Sequence, residues 1–223
     1  MEAGPDAALT LPSRSAVGQR LADRLSALQV ERPVVLAIPR GGAPVGLEVS
    51  RALGSVFDLI VSLELTAPED PRKSLGAVAE FGGQALSSHR EGASDHSIND
   101  LESEVQRVAR EVVRRARLYR GERMFPAVEG RTVLVVADGV VDPMVPVAAL
   151  RGIRSKGPRQ LIFATGVMSR LTRIEIRREA QEVITLREPE YLAYVAEWYR
   201  EFPSVTDEEI QGMLRSNPPG FAH

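Results

Sequence analysis

The chain has 223 residues, of which 43% are hydrophobic and 26% charged, and its formal net charge is −2. That length and balance fit one globular domain with a sizeable core. The small net charge gives no bulk attraction to nucleic acid or to an anionic membrane, and neither is an expected partner. Cysteine is absent, which excludes disulfides, thiolate metal sites and cysteine nucleophiles. No apolar run approaches the ~20 residues needed to span a bilayer. Met1-Glu-Ala-Gly-Pro-Asp6 lacks the basic and apolar regions of a secretory leader, so a cytoplasmic location is expected.

Residues 1–13 contain Ala, Gly, Pro and Ser and are expected to fray. Val17, Leu21, Leu25 and Leu28 recur at helical spacing and predict a helix from Ser15. Pro33 to Ile38 is a short continuous apolar run, read as a buried strand. It ends at Pro39-Arg40-Gly41-Gly42, after which Pro44 opens a predicted helix to about Leu53. Residues 57–62 predict a second strand, and the polar, proline-bearing stretch 63–75 reads as a functional loop. Residues 77–81 and 84–86 predict a strand pair turning on Gly82-Gly83.

A long helix is predicted from about Ser97, with Ser97 and Asp100 or Asn99 and Glu102 as capping pairs. Its apolar face is Leu101, Val105, Val108, Val112 and Tyr119. The arginines at 107, 110, 114, 115, 117 and 120 read as a solvated face answered by Glu102, Glu104 and Glu111. The apolar β-branched run Val133 to Val136 predicts a buried strand that breaks at Asp138-Gly139, and a helix resumes at Pro146. A strand at 160–164, a helix at 169–180, a strand at 182–186 and a helix at 207–214 complete the reading. The tail holds Tyr191, Tyr194, Trp198, Tyr199 and Phe202, five of the chain's eleven aromatic residues, and is expected to pack on the core. Strands alternating with helices define an α/β fold with a mainly parallel central sheet flanked by helices.

Several chemistries are missing. There is no G-x-G-x-x-G turn, no P-loop and no G-x-S-x-G nucleophile elbow. His89, His96 and His223 show no metal-ligand spacing, so no metal ligand is expected. Pro39-Arg40-Gly41-Gly42, by contrast, stands between a strand and a helix. Two glycines let backbone N–H groups approach an anion, a helix amino terminus adds positive potential, and Arg40 offers a forked cation. A tight turn that needs glycine for geometry alone explains the same residues.

Val34-Val-Leu-Ala-Ile-Pro-Arg-Gly-Gly-Ala-Pro-Val-Gly-Leu-Glu-Val49 and the stretches Gly76 to Glu80, Gly130 to Val135 and Glu197 to Phe202 resemble a bacterial subfamily of type I phosphoribosyltransferases. The likeness covers roughly residues 14–214 in order. It implies one phosphoribosyltransferase-like domain with hood elements from about 14–30, 63–86 and 187–214, followed by a tail at 215–223. Such enzymes transfer ribosyl 5-phosphate from phosphoribosyl pyrophosphate (PRPP) to a nitrogen acceptor, with Mg²⁺ on the PRPP. The resemblance therefore implies a phosphorylated small-molecule ligand, Mg²⁺ only when PRPP is bound, and a homodimer as one arrangement.

The subfamily's donor loop reads V-D-D-G-I-A-T-G-A-T. Its two acidic residues address the ribose hydroxyls, and T-G-A-T cradles the 5-phosphate. On this chain the acidic pair falls on Ala137 and Asp138, followed by Gly139, and the cradle becomes Asp142, Pro143, Met144 and Val145. Asp138 is the candidate catalytic residue, with Arg40, Gly41 and Gly42 as the pyrophosphate side. Both cradle hydroxyls are gone, and Pro143 has no N–H to donate. A carboxylate at Asp142 repels a phosphate by ~3 kcal/mol per charge pair at ~5 Å and an effective dielectric near 20, about a hundredfold in affinity. An Arg-Lys pair of the subfamily falls on Leu63 and Glu64, so a cation is replaced by an anion. These changes point to a family member with a degraded PRPP site that binds an anion, a nucleotide-like molecule or a protein. The alternatives are an active transferase and a structural subunit of a hetero-oligomer.

Overall fold

The computed structural model describes residues 10–30, 32–67, 70–87 and 98–217. The histidines His89, His96 and His223 and the Ser97 cap fall outside them. Five parallel strands form the central sheet: β1 (Val34–Ala37), β2 (Val56–Leu59), β6 (Thr132–Val140), β7 (Gln160–Met168) and β8 (Glu182–Arg187). Their order is β2-β1-β6-β7-β8. Strands β1 and β6 are buried through Val136 because helices cover both sheet faces, the setting that favours continuous runs of Val, Leu and Ile over alternation.

On one face lie α1 (Arg14–Ser26), α2 (Gly42–Ala52), α3 (Ile98–Arg120) and α6 (Asp207–Ser216), which bring Val17, Val45, Val112 and Ile210 into one core. On the other, α4 (Met144–Arg154) and α5 (Arg170–Ile176) contribute Leu150 and Ile176 to a second core around Phe163. The chain thus winds to one side after β1 and to the other after β6. These neighbouring strands form a topological switch point, where the carboxyl ends of an α/β sheet open a crevice.

Three predictions about strands and the 63–75 segment differ from the structure. Residues 63–75 are not a loop: β3 (Ser62–Ala67) and β4 (Asp70–Ala79) pair antiparallel, and β5 (Gln84–Leu86) joins them in a separate three-stranded sheet. Leu65 and Ala67 are buried while Glu64 is exposed, the alternation of a half-covered strand. Secondly, the run read as one strand over 57–62 divides at Ile60-Val61 between the two sheets. Thirdly, β6 does not break at Asp138-Gly139. It continues to Val140, with Gly139 opposite Val167 and Val140 opposite Met168 on β7.

The expectation of fraying does not hold for residues 10–13. Leu11 is fully buried, and its backbone pairs with Trp198 and Arg200. Ser13 caps α1 by accepting from the Ala16 N–H. Helix α2 begins at Gly42 rather than Pro44, α5 stops at Ile176, and Leu28 lies beyond α1.

Most of the α3 arginines follow the solvated-face reading, with Arg107 paired to Glu104 and Arg114 and Arg115 to Glu111. Arg120 departs from it. Its guanidinium turns inward to Asp58 at 2.7 Å and Glu80 at 2.6 Å. Among the described residues no helix is long and apolar enough to cross a membrane.

Candidate functional site

The loops after β1 and β6 meet at the switch point and enclose a cleft of about 280 Å³. Arg40, Gly41, Glu64, Ala137, Asp138, Gly139, Asp142 and Val145 line it. Gly42, Leu63, Pro143 and Met144 do not line it. Leu63 instead packs partly buried against the core, so only Glu64 of the Leu63-Glu64 pair reaches the cleft.

The glycines of the first loop are required by close approach. A Cβ on Gly41 would collide with the Asp138 carboxylate, and one on Gly42 would lie 2.7 Å from the Val136 carbonyl. The Gly42 N–H donates to the Ile38 carbonyl at 3.1 Å and the Ala43 N–H to that of Arg40 at 3.1 Å. These two donors are spent on the turn. The Pro39–Arg40 peptide is cis, and Arg40 is exposed.

Asp138 is held from three sides. Arg14 Nε donates to its Oδ2 at 2.9 Å, the Gly139 N–H donates to its Oδ1 at 3.0 Å, and the Tyr199 hydroxyl donates to its carbonyl at 2.6 Å. Arg14 is itself fixed: it donates to the Pro203 carbonyl and lies 3.7 Å over the Phe202 ring. Burial pushes the Tyr199 phenol far above its ordinary range, and the negative field of Asp138 adds to the effect. Asp138 therefore joins the first helix, the β6 edge and the aromatic tail.

Sequence reasoning passes over Arg14 and Tyr199. A signal for Arg14 exists, because a cation in the first turn of a helix opposes the macrodipole unless an acid elsewhere answers it. Tyr199 belongs to the aromatic cluster expected to pack on the core, but nothing local distinguishes it from its exposed neighbours Tyr191 and Tyr194.

At the start of α4, Asp142 Oδ1 accepts from the Met144 N–H at 2.8 Å. Pro143 and Pro146 carry no N–H, so among the first three helical residues only Val145 retains a donor not taken by Asp142. The amino-terminal end of a helix ordinarily offers such donors to an anion. Here a side chain of the protein takes one of them. Among the described residues no group of three or more His, Cys, Asp or Glu could hold a metal ion.

No family model matches the chain. The Mycobacterium tuberculosis (strain H37Rv) protein named "Putative phosphoribosyl transferase Rv0571c" is 28% identical over 209 residues, 94% of this chain and 47% of the relative. Its counterpart MT0597 in strain CDC 1551 / Oshkosh gives the same figures. The chain thus spans about half the length of these curated relatives. The crystal structure of TT1426 from Thermus thermophilus superposes with a TM-score of 0.78 at 35% identity, covering 93% of this chain and 99% of that one. The chain thus shares the fold of TT1426 over nearly its whole length and is similar to proteins named putative phosphoribosyl transferases.

Proposed function

We propose that this chain is a phosphoribosyltransferase-family protein that has lost transfer from PRPP and acts by binding, with its cleft given over to a different ligand. The carrying observation is the hydrogen bond from the Met144 N–H to Asp142. It puts a carboxylate at the head of α4, where the family's loop would cradle the 5-phosphate. Ligand phosphate would have to displace Asp142 or sit beside it, at a cost of ~3 kcal/mol in charge repulsion alone.

Three further features support the reading. Ala137 removes one of the two acids that would grip the ribose hydroxyls. The remaining acid, Asp138, is tied to Arg14. Glu64 adds a third carboxylate, beside Asp138 and Asp142, to a cleft whose only lining cation among the described residues is Arg40. An active transferase would rest on Arg40, the Gly41-Gly42 turn and Asp138 alone. In that case Mg²⁺ would arrive on PRPP, held by its pyrophosphate and ribose oxygens, and would neutralise charge on the leaving group.

Reversal of the loop tests the proposal. The triple variant Ala137→Asp, Asp142→Thr, Pro143→Gly is expected to gain calorimetric binding of Mg²⁺-PRPP that the unaltered chain lacks. If the triple variant stays silent, adding Leu63→Arg and Glu64→Lys is expected to complete the gain. Binding of Mg²⁺-PRPP by the unaltered chain contradicts the proposal.

A further inference from the structure

Besides Asp138, which pairs with Arg14, the cleft at the switch point carries charges of both signs that form no ion pair among the described residues. Arg40, from the loop after β1, and Glu64, on β3, both line it, and both are exposed. Neither forms an ion pair with another described residue. Asp142, half-buried in the lining, accepts a single N–H through Oδ1. An ionised carboxylate offers about four acceptor positions, so most of its capacity remains. Ile38 and Val145 add apolar surface to the same lining.

This pattern differs from that of a phosphate site in sign and in layout. A phosphate site converges donors and cations on one point, whereas here one lining guanidinium shares the cleft with several carboxylates and apolar side chains. The acids do not converge as a metal cage either. A guanidinium prefers the forked oxygens of a carboxylate, and separated carboxylates suit an ammonium that can donate three hydrogen bonds. The volume of about 280 Å³ lies at the small end of the roughly 300–1,000 Å³ usual for ligand pockets.

We propose that the cleft binds a small organic zwitterion, with its carboxylate at Arg40, its ammonium at Glu64 and Asp142, and a short apolar spacer between. This inference rests on the reading that PRPP is not the ligand.

Titration calorimetry on the full chain tests it with 6-aminohexanoate as the probe, hexanoate and hexylamine as its two halves, and Mg²⁺-PRPP as the parent arm. The zwitterion is expected to bind saturably, and each half at least about tenfold more weakly. Arg40→Ala and Glu64→Gln, both at exposed positions, are each expected to weaken the zwitterion by about tenfold or more. Asp142→Asn is expected to weaken it as well, while its amide oxygen can still accept the Met144 N–H. A zwitterion that gives no saturable heat up to about 50 mM overturns the inference, as does an affinity indifferent to Arg40→Ala and Glu64→Gln. If Mg²⁺-PRPP is also silent, the loss-of-transfer reading survives the inference. Saturable binding of Mg²⁺-PRPP removes both.

Discussion

Asp58, Glu80, Arg120 and Arg123 form a closed set of charges, whereas Arg40, Glu64 and Asp142 form an open one. Asp58 is fully buried, and Arg120 and Glu80 are 8% and 10% exposed at the side chain. Their bonding is nearly saturated. Arg120 reaches Asp58, Glu80 and the Leu59 carbonyl, Arg123 reaches Asp58 and the carbonyls of Phe57, Leu214 and Asn217, and Glu80 also accepts the Val61 N–H. Burial alone would depress the Arg120 guanidinium, but the Glu80 and Asp58 carboxylates more than offset it and hold it above its ordinary value. The network ties β2, the end of β4, α3 and the end of α6 together. Arg40 and Glu64 make no such ties among the described residues, and Asp142 accepts only the nearby Met144 N–H. The same residue types serve architecture in one place and remain available to a ligand in the other, and the difference lies in who completes their hydrogen bonds.

The largest expected effect comes from opening the closed set. Arg120→Ala strands the buried Asp58 and leaves Glu80 without its main partner, and is expected to destabilise the fold by about 3–5 kcal/mol in urea unfolding. A loss below about 1 kcal/mol would show that the network is not the anchor described. Arg14→Ala comes next. It breaks the pair with Asp138, the bond to Pro203 and the contact with Phe202, for an expected loss of about 2–3 kcal/mol by the same measurement.

Tyr119 is one residue from Arg120 in sequence and within the field of Arg40. Burial first, and then the hydrogen bond to Asp207, raise its phenol from the ordinary 10.0 to about 12. A raised pKa means that the folded state holds the proton more tightly. The contribution is therefore complete below pH 10 and is lost as pH rises from 10 to about 12. Unfolding midpoints measured across that window should fall, and Tyr119→Phe should remove part of the fall, Tyr199 being shifted in the same direction. An unchanged slope in that variant would reject the assignment. The smallest effect belongs to the open set: Glu64→Gln is expected to stay within about 0.5 kcal/mol of the parent stability.

How much of this is legible in the sequence depends on whether the cause is local. The apolar runs at 34–37 and 133–136 announce buried parallel strands, and the Val17-Leu21-Leu25 spacing announces α1, because periodicity and burial act residue by residue. The β3–β4 hairpin escapes such reading because the strand alternation of Leu63, Leu65 and Ala67 lies in a polar stretch whose prolines suggest a loop. Asp138 reads as a break because Asp-Gly is a turn signal, yet pairing with β7 carries the strand through it. The positions of Arg40, Glu64 and Asp142 in one cleft follow from colinear likeness to a known family. The clasp of Arg14 on Asp138 spans 124 positions, a separation at which local sequence carries little information. The Asp142 bond to Met144 is local by contrast, and an Asp two residues before an N–H can be read as an Asx turn.

The most direct test of the central claim is the melting temperature of the unaltered chain with and without millimolar Mg²⁺-PRPP. A ligand at about 100 times its dissociation constant stabilises by ~2.7 kcal/mol, which for a chain of this size raises the midpoint by about 5–10 °C. No shift is predicted. A rise of that size would show that the cleft still takes the phosphoribosyl donor and would contradict the account.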